Sequence, residues 1–560
     1  MFVKITKAGK YEYVQIVRSF KDQDNVTRHE VLANLGRKDQ LEDNPSFQRV
    51  IKKLAELAGL DEYKRKNGDP LSTASEADMR NWGHIVYRKL WDNLCFNECM
   101  DKIQKQNPRI KLNLASSAYL MVVQHLLNPR SKLATFNNKE KYLGLSEMGL
   151  QHLYRSLDLL CRGKEEIESH IFYEGYDLLN MTIDVVFYDV TTFAFQSVVQ
   201  DDLRDFGYSK DNKYNEVQVV MGLLMDVNAQ PIGYELYNGS TFDGNTMTAA
   251  LENLKKRFGI RRVIIVADRG LNSKINLLHI KKAGYGYIMA TRLKKMSKKI
   301  QEQVLSSEGY MTINGPFTDS EGKPEVIQYK VLEYTNPVKD EKQEVHNLPE
   351  HLILTYSERR AAKDRKDRER AVEKAKILIQ EPGKLNAALK RGYRKYVRKT
   401  SAEKAEATYS LNEAIIQSES RFDGYYGIQT SELEMDSSKI LDAYHTLWKI
   451  EESFRIMKSH LEARPVFHWT EPRIKGHFVV CFLALLLERR LEKTLMKAGI
   501  TDYSPQQIRE AINSMQFAEF VMDDRRYYLK TRTTSLGNKI LKELKIKPPN
   551  NLMPVEEYKA

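Results

Sequence analysis

Val263-Ile264-Ile265-Val266-Ala267-Asp268 is five apolar residues closed by an acid. So short an apolar run reads as a strand, buried on both faces if it is central in its sheet. Working outward, Thr246 to Phe258 has helical periodicity before it, and a helix followed by a strand at Tyr285 to Ala290 comes after it. Upstream, Met181 to Phe195, Val217 to Asp226 and Ile232 to Asn238 read as strands, the last two joined by the turn Asn228-Ala229-Gln230-Pro231. Strands first, then alternating helix and strand, predict a mixed α/β sheet.

The flanks differ in texture. Phe2 to Ile5, Tyr11 to Val17 and His29 to Leu32 read as strands, and Phe47, Val50, Ile51, Leu54 and Leu57 give a helical repeat from Pro45. These form an N-terminal strand-plus-helix domain over 1–66, with a linker at Lys66-Asn67-Gly68-Asp69-Pro70. A helical region, for DNA binding or dimerisation, spans 70–178. Beyond the α/β segment, 296–422 interrupts the order with strands (Glu325 to Tyr334, His351 to Tyr356) and a charged helix, Glu358 to Gln380. Tyr425 to Thr430 adds a strand, Ser437 to Glu462 one long helix, and 491–560 reads as a helical C-terminal region.

Length and composition narrow the function classes. The 560 residues imply three or four domains. With 42% hydrophobic and 29% charged residues, a disordered chain and a membrane protein are excluded. The longest apolar run, Phe478 to Leu487, is too short to span a bilayer. The N-terminus lacks an apolar export signal, and four cysteines exclude a disulfide scaffold, so a reducing cytoplasmic compartment is expected. No zinc spacing is present, and the histidines look scattered, with His460 and His468 read as structural. A net charge of +13 suggests a polyanionic partner, most often nucleic acid.

Three acids stand where acids are costly. Asp189 shares a strand face with Ile183, Val185 and Phe187 at period two, and Asp268 ends the buried run. The plain alternative for either is a turn or cap residue. Glu451 falls within an apolar helical stripe of Tyr444, Leu447, Trp448, Phe454 and Leu461, with Arg455 and Lys458 on the same side. An intrahelical Glu451–Arg455 ion pair is the plain alternative. Glu452 lies about 100° further round, nearer a solvated face. Two Asp and one Glu form a candidate Mg²⁺ site, since carboxylates bind that ion well and two such ions can flank a phosphate.

The chain resembles the DDE transposases of bacterial insertion sequences, of the IS-four-like superfamily with a strand-rich insertion. The resemblance rests on Tyr188-Asp189-Val190-Thr191-Thr192-Phe193, on Val266-Ala267-Asp268-Arg269-Gly270, and on Tyr444-x2-Leu447-x3-Glu451-x6-Lys458, similar to the family's Tyr-x2-Arg-x3-Glu-x6-Lys signature. Gly207 to Asp211, Gly239 to Asn245 and Arg464 to His468 support it. The acids are 79 and 183 residues apart, and the longer gap resembles the family's insertion before the last acid. Leu447 stands where the signature has Arg, and Arg455 offers a positive charge on the same helix face.

The resemblance implies an RNase H-like core in two parts, 179–295 and 423–490, interrupted by a β-rich insertion domain at 296–422. It implies that Asp189, Asp268 and Glu451 hold two Mg²⁺ ions, with Mn²⁺ able to substitute. Water then cleaves the transposon end, and the freed 3′-hydroxyl attacks target DNA. Tyr444 and Lys458 are expected at the DNA backbone, and Trp448 either stacks on an unpaired base or packs in the core. A synaptic homodimer on double-stranded DNA, associated with the bacterial nucleoid, is also implied. The basic patch Lys390 to Lys399 interleaves Tyr393 and Tyr396 with Lys390, Arg391, Arg394, Lys395, Arg398 and Lys399, a pattern that suits backbone binding plus stacking. The sign-alternating stretch Arg359 to Arg370 reads as a solvated helix face. Two alternatives to a transposase are a non-catalytic DNA-binding protein of the same fold and an RNase H-like nuclease that cuts without joining.

Overall fold

A computed structural model describes residues 1–21, 26–42, 44–58, 77–175, 185–207, 216–226, 228–241, 253, 263–267, 272–318, 324–380, 392–399, 409–464, 466–522 and 525–558. The linker at 66–70 and most of the helix expected at 246–258 lie outside them.

The N-terminal strands β1 (Phe2–Ala8), β2 (Tyr11–Lys21) and β3 (Thr27–Arg37) form an antiparallel three-stranded sheet, followed by the helix Pro45–Leu57. The helical region that follows opens with a strand, β4 (Asp78–Asn81), before the helices Ile85–Asn93, Phe96–Lys105, Leu114–Leu127, Lys132–Asn138, Leu150–Arg162 and Lys164–Gly175.

The α/β segment forms one nine-stranded sheet. Its strands are β5 (Val185–Ala194), β6 (Gln218–Met225), β7 (Pro231–Asn238), β8 (Ile264–Ala267), β9 (Gly286–Ala290), β10 (Met311–Thr318), β11 (Pro324–Lys339), β12 (Val345–Tyr356) and β15 (Tyr425–Thr430), in the order β10-β11-β12-β15-β9-β8-β5-β6-β7. Between β12 and β15 the chain forms the helix Glu358–Gln380 and the small ribbon β13 (Val397–Lys399) and β14 (Tyr409–Leu411). β5, β8 and β9 are parallel neighbours, and every other pairing is antiparallel. The parallel strands β8 and β9 are apolar and buried along their whole length, as strands covered on both faces must be.

The strands of 296–422 therefore do not make a sheet of their own. β15 hydrogen-bonds β9 on one side and β12 on the other, so β10 to β12 prolong the central sheet and cover an edge that would otherwise be open. The sequence shows β11 and β12 but not their partners, and it does not show β10 as a strand.

Alternation on β5 sets the two faces of the sheet. Phe187 and Phe193 pack in the larger core, where Phe193 meets Phe478 edge-to-face at 5.2 Å. Tyr188 and Val190 point the other way, into a smaller core with Ile265 and Tyr287. The larger core holds the helix Glu471–Lys497, whose apolar run 478–487 is wholly buried. Each such side chain contributes roughly 1.5–3 kcal/mol. No described helix is long and apolar enough to cross a membrane.

Two further expectations need correction. The C-terminal region is not all helical: β16 (Gln516–Met522), β17 (Arg525–Lys530) and β18 (Leu552–Pro554) alternate with the helices Pro505–Asn513 and Ser535–Glu543. β4 completes this sheet by pairing with β16, a contact between chain ends that no local pattern reveals. The helix expected over 437–462 is broken: Ser437–Thr446 ends at Leu447, Trp448–Arg455 follows, and Ile456–His460 widens into a π-turn closed by Leu461 N–H on Ile456 C=O at 2.9 Å. Such turns are rare and concentrate at functional sites.

Candidate active site

Asp189 sits mid-strand on β5, opposite Leu223 of β6, and is only 8% exposed. Its Oδ1 accepts the Val190 N–H at 2.8 Å, which fixes the carboxylate. It shares the strand face of Phe187 and Phe193, the face covered by the larger core. β8 runs parallel beside β5, with Phe187 level with Val266. Ala267 ends β8, and Asp268 lies outside the described residues.

The helix Trp448–Arg455 packs over the same face through Ile450 and Phe454. Beyond it, the Lys458 ammonium stands 5.6 Å from the ring centre of Phe193, four residues along β5 from Asp189. One sheet face thus carries Asp189 and the segment bearing Glu451 and Lys458.

The side chains on that helix are arranged differently from the expectation. Glu451 is exposed rather than inside the apolar stripe, which is made by Leu447, Ile450 and Phe454. Glu452, expected nearer solvent, is half-buried and paired to Arg489 at 3.1 Å and to Arg455 at 3.3 Å. Arg455 therefore answers Glu452, not Glu451. Leu447, Phe454 and Leu461 are buried as the stripe requires, but Ile450, Ser453 and Met457 complete it, so its centre lies to one side of Trp448 and Glu451, which face outward.

Arg489 was not singled out by sequence reasoning, because Glu488-Arg489-Arg490 reads as the polar end of an apolar helix. It is buried, and it donates to Ser453 Oγ from Nε (3.1 Å) and Nη2 (2.8 Å), to the Lys449 carbonyl (3.0 Å), to Glu452 (3.1 Å) and to Glu492 (2.6 Å). This fork holds the single turn of polar groups around Glu451, from the Lys449 carbonyl to Ser453, against the buried helix.

Trp448 is 53% exposed, so the core-packing alternative fails. The Tyr444 hydroxyl is 2.6 Å from that of Tyr426 on β15, whose ring lies under Arg360 at 4.2 Å. In the basic patch, Arg394 turns back to the Val397 carbonyl at 2.7 Å and Lys395 pairs with Glu419 at 2.6 Å. Arg398 and Lys399 are exposed on β13, and Arg391 lies outside the described residues. The histidines are not scattered: His125, His468 and His477 gather in the interior, with ring centres 5.3 Å (125 to 477) and 5.5 Å (468 to 477) apart. They come from three separate segments, which is why their spacing in sequence gave no signal.

The transposase DDE domain family matches residues 180–487, more than half of the chain. This chain belongs to the DDE transposases. The IS1634 family transposase N-terminal domain matches residues 3–62, the three-stranded sheet and the helix after it, which marks the transposase as that of an insertion sequence. No curated protein matches it. Among solved structures, the piggyBac transposase synaptic complex with hairpin DNA is similar at 9% identity and TM-score 0.35, covering 85% of each chain. A Mos1 transposase paired-end complex with the left transposon end follows at 12% identity and TM-score 0.14, covering 30% of this transposase and 57% of Mos1.

Proposed function

We propose that this transposase cleaves the ends of its insertion sequence and joins the resulting 3′-hydroxyls to target DNA, using Asp189, Asp268 and Glu451 to hold two Mg²⁺ ions. The observation that carries this reading is the fixed carboxylate of Asp189 on the sheet face that also receives the Glu451 helix. In the β7-β6-β5-β8-β9 part of the sheet, an antiparallel meander is joined to parallel strands, which supports an RNase H-like core.

The donors suit the ion. Carboxylate oxygens are what hard divalent cations take, and Mn²⁺ shares that preference. When bound, the ions polarise the scissile phosphate and acidify the attacking oxygen. The chain's own part is positioning. Asp189 is held by its strand, Glu451 by the Arg489 fork, and Lys458 offers a cation on the same face. Water oxygen attacks phosphorus and the 3′-oxygen leaves. That 3′-oxygen then attacks a target phosphorus and displaces the target's own 3′-oxygen.

Double-stranded DNA is the partner, and +13 of net charge supports it. Trp448, exposed three residues before Glu451, stacks on a base; Tyr444, Arg455 and Lys458 approach the backbone. Arg398 and Lys399, with Arg391, extend the contact, and a homodimer brings two ends together. The test is an assay with purified protein, DNA carrying its own element's ends, a supercoiled target, and Mg²⁺ with or without chelator. Metal-dependent cleavage with joined product supports the reading. Cleavage without joining favours a nuclease, and end binding without either favours the non-catalytic alternative.

A further inference from the structure

We propose that the cavity between the start of the helix Lys132–Asn138 and the residues Glu462, Phe467 and His468 is a phosphate-binding pocket, with Lys132 and Arg130 as its cations. This inference does not depend on which acids form the metal site.

The cavity has a volume of about 280 Å³. Lys132 lines it and is only 3% exposed. Its ammonium has a single hydrogen-bond partner among the described residues, His125 Nε2 at 3.1 Å. His125 Nδ1 donates to the Leu461 carbonyl at 2.8 Å, so Nε2 is the acceptor and takes one of the three ammonium N–H groups. No carboxylate among the described residues lies within ion-pair reach of Lys132. A buried cation without a counter-charge is costly, and an occupant with acceptor oxygens removes that cost.

The remaining walls favour an anion. Arg130, His468 and His477 line the cavity, and Glu462 is the one acid among the described residues that line it. Ligating atoms of His125, His477 and Cys481 do lie within 4.8 Å of one another, as a transition metal requires. The Lys132 ammonium, however, already sits on His125 Nε2, where it repels a metal cation. Phe467 also lines the cavity and is more than half exposed, an apolar wall of the kind that meets a sugar or base. The pocket adjoins the turn that ends the Glu451 segment, because His125 and His477 hold the Leu461 and Ala463 carbonyls.

The phosphate can belong to a DNA strand or to a free nucleotide or phosphate ion, and the test separates the two. Full-length wild type and Lys132→Met are compared by anisotropy on a labelled duplex of the element's own end across a sodium chloride series. They are compared again by thermal unfolding with inorganic phosphate against chloride of equal ionic strength. For a DNA phosphate, Lys132→Met weakens binding and lowers the slope of log K against log salt by about 1. For a free ion, phosphate raises the Tm of wild type and not of the variant, while the DNA slope is unchanged. Identical slopes and identical phosphate responses in the two proteins overturn the proposal. Should Lys132→Met fail to fold, the same readouts on Arg130→Gln, an exposed side chain, decide between the same outcomes.

Discussion

Arg489 grips Ser453 with two nitrogens, Nε at 3.1 Å and Nη2 at 2.8 Å, from a helix more than thirty residues further along the chain. Ser453 in turn donates to the Lys449 carbonyl at 2.8 Å, which also accepts from Arg489. The turn that presents Glu451 is thus fastened from behind by a buried, fully engaged guanidinium, while Glu451 itself faces outward. Replacing Arg489 by Leu strands Glu452, Glu492 and Ser453, and a broken buried pair of this kind costs ~3–5 kcal/mol. Arg489→Lys keeps the charge but loses the fork. We expect it to reduce cleavage far more than end binding, as measured by single-turnover cleavage beside anisotropy.

Trp448 gives the opposite signature. With more than half its surface exposed, Trp448→Ala should leave unfolding free energy within about 0.5 kcal/mol of wild type. Loss of a stacking partner should weaken binding to an end with unpaired bases by ~1–3 kcal/mol. A large stability loss with unchanged DNA affinity would return Trp448 to the core.

Glu488 predicts a pH dependence. Burial, with Glu492 nearby, raises its carboxyl from 4.5 to about 7, against the opposing hydrogen bond from Tyr87 at 2.7 Å. A carboxyl raised in the folded state favours folding fully below pH 4.5, and that contribution is lost as pH rises to about 7. Glu488→Gln should therefore stabilise the protein at pH 8, by at most ~3 kcal/mol, and the gain should vanish toward pH 5. Denaturant unfolding of both proteins across this range checks the sign.

Gly476 marks a close helix crossing. A Cβ there would stand 2.1 Å from the Leu157 carbonyl oxygen, a backbone atom that cannot step aside. Gly476→Ala should cost ~3 kcal/mol through forced separation of the helices Glu471–Lys497 and Leu150–Arg162. A fall in Tm of several degrees is the expected readout.

Much of this was legible in sequence where the signal is local. The strands around Asp189 and β8, the helix Glu358–Gln380 and the N-terminal meander follow from periodicity alone. What escaped depends on distant partners. β4 is four residues long and exists because β16 offers it an edge. Of the insertion strands β11 and β12 are readable in sequence and β10 is not, and only pairing through β15 joins them to the central sheet. Glu451 and Glu452 exchanged environments because the buried face runs through Ile450, Ser453 and Met457, and the Arg489 that draws Glu452 inward comes from a distant helix. Lys132, His125 and His477 meet only once three helical segments are packed.

The pair Glu451 and Glu452 offers the most direct test of the account. Metal-dependent end cleavage is measured for Glu451→Gln and Glu452→Gln, each beside its thermal stability and its affinity for the uncleaved end. The account predicts that Glu451→Gln abolishes cleavage while Tm and binding stay at wild-type values. It predicts that Glu452→Gln lowers Tm, by loosening the Arg489 fork, and still cleaves at permissive temperature. Normal cleavage by Glu451→Gln, or loss of cleavage in a fully stable Glu452→Gln, would contradict it.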